Sequence, residues 1–147
     1  NTHEEIVECD VRQLATKFQA RQFDACVALD VIEHLEKPNG LKLIEDLERI
    51  ARKRVVFFTP SGFLPQGHTD RDDLQEHLSG WEPDEMRARG YRVIGLLGPR
   101  GLRGEYHKLK RSPAVFWGLV SLTGHFLFTR SRPEKAAAIL CVKEIAN

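Results

Sequence analysis

The densest chemical signal in the chain is the run Phe23-Asp24-Ala25-Cys26-Val27-Ala28-Leu29-Asp30-Val31-Ile32-Glu33-His34-Leu35. An apolar stretch ends at Leu29, and polar residues follow at Asp30, Glu33 and His34. If Asp30 opens a helical turn, offsets of three and four bring Glu33 and His34 onto its face. Two carboxylates and an imidazole on one face are a donor set for a divalent metal, and equally a set for acid–base chemistry. The same residues also suit a plainer role, a capped helix start with His34 bonded to backbone, and spacing alone leaves these readings level. A second polar concentration lies over residues 61–80, a glycine-punctuated stretch carrying His68, Asp70, Asp72, Asp73, Glu76 and His77. Loops of such length are commonly functional. His68 and the three aspartates read as a solvated surface without chemistry of their own.

The elements that must position these residues follow from hydrophobic patterning. Strands are predicted over residues 6–11, 25–29, 54–59 and 91–97, the third stopping at Pro60 and the fourth lying between Gly90 and Gly98. Their apolar runs are continuous rather than alternating, which suggests strands covered on both faces, as in a parallel sheet. Over residues 39–53, Leu43, Ile44, Leu47, Ile50 and Ala51 recur at three- and four-residue spacing, which predicts an amphipathic helix. Pro83-Asp84-Glu85 opens a second helix, with proline early and acids in the first turn, and Gly90 closes it. Residues 137–145 read as a last strand, although the alanines at its start favour helix. Strands alternating with helices argue for an α/β fold with right-handed crossovers. Because ligands in open α/β sheets sit at the carboxyl ends of strands, Asp30, Glu33 and His34 occupy a binding position.

Composition narrows the class. The 147 residues make one domain rather than two, and a chain of this length buries enough surface to fold without disulfide or metal staples. With 22 Lys+Arg against 21 Asp+Glu the net charge is +1, so nothing steers the whole molecule toward nucleic acid or an anionic membrane. The cysteines Cys9, Cys26 and Cys141 are odd in number, far apart and set in apolar runs, which reads as free thiols in a reducing, cytoplasmic compartment. No apolar run reaches about 20 residues, so no transmembrane helix is predicted. The polar, acidic start is unlike a signal peptide. A strand arriving almost at once after Asn1 suggests a fragment or a processed product.

The run F-D-A-C-V-A-L-D-V-I-E-H-L, the following L-x-x-I-x-x-L-x-R-I helix and R-V-V-F-F-T-P together resemble the second half of a class I S-adenosylmethionine-dependent methyltransferase. The resemblance extends back to Glu8-Cys9-Asp10-Val11 and forward through His77-x-x-x-Trp81 to the final strand, so it covers nearly the whole chain. It implies a Rossmann-like methyltransferase sheet, mostly parallel with an antiparallel last strand, whose N-terminal strands are missing. The family's glycine-rich loop is absent: the sequence contains no G-x-G-x-x-G. The resemblance implies S-adenosyl-L-methionine as cofactor. Asp10 would accept from the adenine amino group and the Val11 amide would meet a ring nitrogen, the alternative for Asp10 being a cap on the following 12–18 turn. Leu29 and Asp30 would line the sulfonium end. Some relatives carry an E-x-x-E-H run that coordinates a divalent ion, which would make Asp30, Glu33, His34 and a further ligand, His77, the metal candidates; the expectation is nonetheless no stoichiometric metal. His77 and Trp81 fall where the family builds its acceptor pocket, and His77 and His34 are the candidate catalytic residues, since histidine ordinarily titrates near neutral pH.

The acceptor implied is a small molecule or glycan, methylated on oxygen. A metal-assisted RNA 2′-O-methyltransferase is the alternative, for which residues 100–111, with five cations against Glu105, give only a weak nucleic-acid signal. A truncated, non-catalytic binding module is a third. Residues 99–132 read as an inserted segment, basic first and apolar second. The helical spacing of Val115, Phe116, Leu119, Val120, Leu122 and Phe126 predicts an apolar face buried as a cap over the acceptor side, bent at Gly118 and Gly124. The other placement puts residues 108–128 on a membrane surface, with Lys108, Lys110 and Arg111 against anionic headgroups. With the family's central strands missing, the 25–29 strand would have an open edge, to be covered by residues 6–11, by a second copy of the chain or by residues upstream of Asn1.

Overall fold

A computed structural model describes residues 5–66, 76–104 and 108–146. His68, Asp70, Asp72, Asp73 and Glu105 lie outside the described residues. The fold is α/β, built on one mixed sheet of β1 (Phe23–Leu29), β2 (Ala51–Pro60), β3 (Arg92–Pro99) and β4 (Ala136–Glu144) in the order β1-β2-β4-β3. β1 and β2 are parallel, with Cys26 beside Val55 and Leu29 beside Phe58. β4 runs antiparallel to both its neighbours, so β1, β2 and β3 point the same way. This is the antiparallel last strand expected from the sequence, threaded between the second and third strands.

The helices are α1 (Leu14–Lys17), α2 (Lys37–Ile50), α3 (Pro83–Ala88) and α4 (Ala114–Gly124). Leu43, Ile44, Leu47 and Ile50 of α2 are all buried against Val55, Phe57 and Ile139 of the sheet and against Trp81. The helix begins two residues before the expected 39–53 span and ends three residues sooner, because Ala51 already has the extended backbone of β2. Arg52 and Lys53, which continue the helical charge pattern, instead reach Asp24 at 2.8 and 2.9 Å across the β1–β2 pair. α3 starts at Pro83 as predicted, and Gly90 turns the chain into β3 with φ +86°.

Three expectations are corrected. Residues 6–11 form no strand: Ile6 is 87% exposed, and the chain reaches Asp10 as coil before a 3₁₀ turn at Val11–Gln13 leads into α1. An isolated strand has no ladder to join, and the Asp10 carboxylate instead accepts from the Arg12 amide at 2.9 Å, the cap foreseen as the alternative. Nor is β1 covered on both faces. Cys26 and Ala28 are buried while Val27 and Leu29 stay 59% and 56% exposed, since α2 packs on one side and β1 is an edge strand with β2 its neighbour.

The third correction concerns the predicted cap. α4 runs through Gly118 without interruption and passes at Gly124 into a wider π-type turn, His125–Thr129. Its large apolar residues are not buried: Phe116, Leu119, Leu122 and Phe126 are each more than half exposed. The face turned to the sheet carries Ser121 and Thr129, both buried. It lies against a bulge in β3 where Leu97 and Gly98 take left-handed backbone. A Cβ at Gly98 would stand 2.3 Å from the Ser121 carbonyl oxygen, so this approach needs glycine. Cys26 and Cys141 are buried free thiols and Cys9 is half-buried and free. Among the described residues no helix is long and apolar enough to cross a membrane.

Candidate functional site

The site is assembled where β1 and β2 end. The Asp30 amide donates to the Phe58 carbonyl at 2.9 Å, extending the ladder one residue past Leu29. Asp30 itself has φ +50°, a left-handed conformation that Asp tolerates better than most residues. That kink ends the strand and sends the chain into a 3₁₀ turn, Ile32–His34, not the α-turn from Asp30 that the spacing suggested. Ile32 plugs the core, and Glu33 is carried inward with it, only 2% exposed.

A second segment is stitched onto this turn. The Glu33 carbonyl accepts from the Leu78 and Ser79 amides at 2.8 and 3.0 Å, and the Ser79 hydroxyl donates to the Ile32 carbonyl. His77 is thereby set beside His34, the rings 4.9 Å apart between centroids and inclined at 66°. His34 Nδ1 lies 3.0 Å from the Glu76 carbonyl and His77 Nδ1 lies 2.7 Å from the Leu64 carbonyl. A carbonyl only accepts, so each Nδ1 donates its proton to the backbone, which fixes the orientation of each ring. Backbone anchoring of one imidazole nitrogen, with the other left as a ligand or base, is the arrangement found behind metal-binding histidines.

Glu33 completes the group: ligand atoms of Glu33, His34 and His77 all lie within 4.8 Å of one another. Asp30 borders this cluster without being part of it. Burial pushes the Glu33 carboxyl up to about 7, and the neighbouring Asp30 charge adds to the rise. The Thr59 hydroxyl, fully buried at the end of β2, donates to Glu33 Oε2 at 3.0 Å. Glu33 Oε1 is buried with no hydrogen-bond partner among the described residues. The site therefore holds two oriented imidazoles and a carboxyl that changes charge near neutral pH. Such a set can accept a proton from a hydroxyl or, on releasing the Glu33 proton, hold a divalent cation with oxygen and nitrogen ligands.

The remaining predicted residues fall elsewhere. Asp10 binds Arg12 with both carboxylate oxygens, at 2.9 and 2.5 Å to Oδ2, and this partner holds its carboxyl down to about 2, so it is fully charged. Val11 opens the 3₁₀ turn, where a first N–H has no partner within the helix. Leu29 stands exposed at the strand end. Trp81, expected at a pocket wall, is a core residue with no exposed surface. Lys37 Nζ lies 3.5 Å above its ring, and Gly40 lets it approach α2, since a Cβ there would sit 2.5 Å from the indole. Thr59 and Ser79 stand outside the residues that the sequence singles out. The signal for Thr59 is its position: a hydroxyl at the end of the strand that neighbours β1, one residue past the Leu29–Phe58 pair and so level with Asp30.

The described fold matches solved structures. A SAM-dependent methyltransferase from Archaeoglobus fulgidus superimposes with a TM-score of 0.53 at 12% sequence identity, over 94% of this chain and 66% of that one. The small RNA methyltransferase HEN1 aligns with a TM-score of 0.47 at 14% identity, over 91% of this chain and 15% of that one. The chain thus spans just under two thirds of the archaeal protein's length. No family model and no curated protein sequence matches it. The architecture is accordingly the Rossmann-like fold of class I SAM-dependent methyltransferases.

Proposed function

We propose that the chain serves S-adenosylmethionine-dependent methyl transfer to a hydroxyl of a small-molecule or glycan acceptor. The observation that carries the reading is the pair of imidazoles set side by side at the carboxyl end of the sheet, each fixed through Nδ1 to a backbone carbonyl. The cofactor, when bound, supplies an activated methyl group on a sulfonium. This chain's residues hold and orient. The charged Asp10 and the first N–H of the Val11 turn suit the amino group and ring nitrogen of adenine. Leu29 offers an apolar contact at the strand end, and His77, aided by His34, accepts the proton that the acceptor hydroxyl loses. The fit to the cofactor is partial, since no G-x-G-x-x-G run for its methionine and ribose portions occurs in the 147 residues.

The test is transfer of labelled methyl from S-adenosylmethionine to a panel of hydroxylated acceptors. His77→Ala is expected to lower kcat by about 10²–10⁴-fold, the usual worth of a general base, with KM for the cofactor unchanged. Full activity in His77→Ala would remove this assignment.

A metal-assisted RNA 2′-O-methyltransferase is the second reading, favoured by one observation: ligand atoms of Glu33, His34 and His77 lie within 4.8 Å of one another. The orphaned Glu33 Oε1 and the two Nε2 atoms form a hard oxygen-and-nitrogen set that fits a divalent ion. Such an ion would polarise the acceptor hydroxyl. Activity abolished by a chelator and restored by Mg²⁺, Mn²⁺ or Zn²⁺ selects this reading, whereas activity indifferent to chelation selects the first.

A further inference from the structure

The most unusual surface of the molecule is α4 with its π-type extension, residues 114–129. Between Arg111 and Arg130 the sequence has no Asp, Glu, Lys or Arg. A soluble helix of such composition belongs in a core. Here the packing is inverted. The inward face is small and polar: Ser121 Oγ donates to the Leu97 carbonyl at 2.9 Å, and Thr129 is wholly buried. A Cβ at Gly95 would lie 2.0 Å from the Thr129 carbonyl, and one at Gly124 would lie 2.9 Å from the Pro99 ring. These approaches lock the helix backbone to β3, so its orientation is set by glycine contacts and hydroxyls. The apolar side chains cannot be turned inward without breaking them. Val115 and Leu127 are 79% and 81% exposed, and Phe116, Leu119, Leu122 and Phe126 form the surface between them.

From Lys108 to Arg132 the charges that flank this face have one sign. Residues 108–132 contain five cations and no acid, in a chain whose net charge is only +1. Lys108, Lys110 and Arg111 precede the helix and Arg130 and Arg132 follow it, all exposed. At each end a guanidinium lies over an aromatic ring, Arg111 above Trp117 at 4.8 Å and Arg132 above Phe128 at 4.5 Å. Aromatic rings paired with cations at the ends of an apolar segment match the boundary between headgroups and acyl chains. At 1.5 Å per residue the helix is roughly 24 Å long, short of a hydrocarbon core of about 30 Å, so it fits the plane of the interface rather than a crossing.

We propose that residues 108–132 seat this protein on an anionic lipid bilayer, with the outer face of α4 sunk into the headgroup region and the flanking lysines and arginines on lipid phosphates. The charge complementarity selects this occupant. A second copy of the chain would bring the same cations against each other, since a two-fold interface is self-facing.

The test is co-sedimentation of the full chain with phosphatidylcholine vesicles with and without phosphatidylglycerol, at low and high salt. A second readout is quenching of Trp117 by brominated acyl chains; Trp81 is buried in the core and does not contribute. Expected are binding to the anionic vesicles that salt weakens and quenching of Trp117. Lys110→Glu with Arg111→Glu should lower partitioning by at least about tenfold, at roughly 1 kcal/mol per basic residue. Phe116→Ser with Leu119→Ser should lower it on every vesicle type, and both pairs change exposed side chains, so thermal unfolding should be unaltered. Absence of binding, binding indifferent to both double variants, or a dimer whose formation hides Phe116 and Trp117 would overturn the proposal.

Discussion

Glu33 makes the pH dependence of stability a direct probe of the site. The unfolded chain binds the Glu33 proton with an ordinary glutamate pKa of 4.5, whereas the folded site holds it up to about 7, chiefly because burial penalises the carboxylate. The folded-state value is the higher one, so the folded state is the better proton binder. Glu33's contribution is therefore fully present below about pH 4.5, is lost progressively as pH rises toward 7, and is gone above that. At 1.36 kcal/mol for each pH unit separating the two values, the loss is about 3 kcal/mol, an upper bound because side chains near the site relax. Glu33→Gln keeps an acceptor for the Thr59 hydroxyl and removes the titration. Denaturant unfolding of both proteins across about pH 4 to 9, with chelator present, should show the variant gaining on wild type by up to about 3 kcal/mol toward the alkaline end. A constant offset reflects the amide's fit in the pocket and is not diagnostic; the change with pH is. Parallel curves for the two proteins would refute the buried, proton-holding Glu33. Added divalent cation provides an internal check: if the site binds metal, the ion displaces the proton, and wild type should be stabilised at alkaline pH while Glu33→Gln is not.

Thr59→Val removes the hydroxyl donor from Glu33 Oε2, so the Glu33 titration should move further up; carbon-13 NMR of the carboxyl group reads this directly, and an unchanged or lower value would contradict the Thr59 contact. Asp30→Asn removes a neighbouring negative charge and should shift the same titration down, flattening the stability profile. Gly95→Ala forces a methyl onto the Thr129 carbonyl and should cost about 1–3 kcal/mol in thermal or denaturant unfolding, with α4 displaced from β3. Tyr91→Phe takes a hydroxyl from Glu48, which it reaches at 2.8 Å; because Lys143 still pairs with Glu48, the loss should stay near 1 kcal/mol, measured by the same unfolding curves.

What the sequence made legible were features carried by period and punctuation. α2 was visible from Leu43, Ile44, Leu47 and Ile50, and α3 from Pro83 and Gly90, because one turn of helix is a local decision. Glu33 and His34 are adjacent and legible from spacing, whereas His77 is named beside them only through the resemblance, because the amides of Leu78 and Ser79 on the Glu33 carbonyl, which place it, are contacts between backbones that carry no side-chain code. Burial of Trp81 depended on Gly40 of another element, which nothing near Trp81 announces. Residues 6–11 have strand composition, yet a strand is defined by its neighbour, and none stands beside them. The apolar spacing in 115–126 was read as a buried face by the rule for soluble helices. The rule failed because two glycines and a bulge in β3, some twenty residues earlier, had already fixed which side of α4 faces the sheet.

The position of β4 has a consequence for how the molecule is made. Arg54 of β2 and Glu144 of β4 are joined by an ion pair spanning 90 residues of sequence. β4 also holds β3, so β2 and β3, both synthesised earlier, meet only through the strand translated after them. While a ribosome extends the chain, the nascent protein has a β1–β2 pair and a separate β3 whose hydrogen-bonding edges await the same missing partner. Closure is a late, non-local event of the kind that folds slowly. Until it happens the edge of Val55–Thr59 that faces β4 lacks its ladder partner.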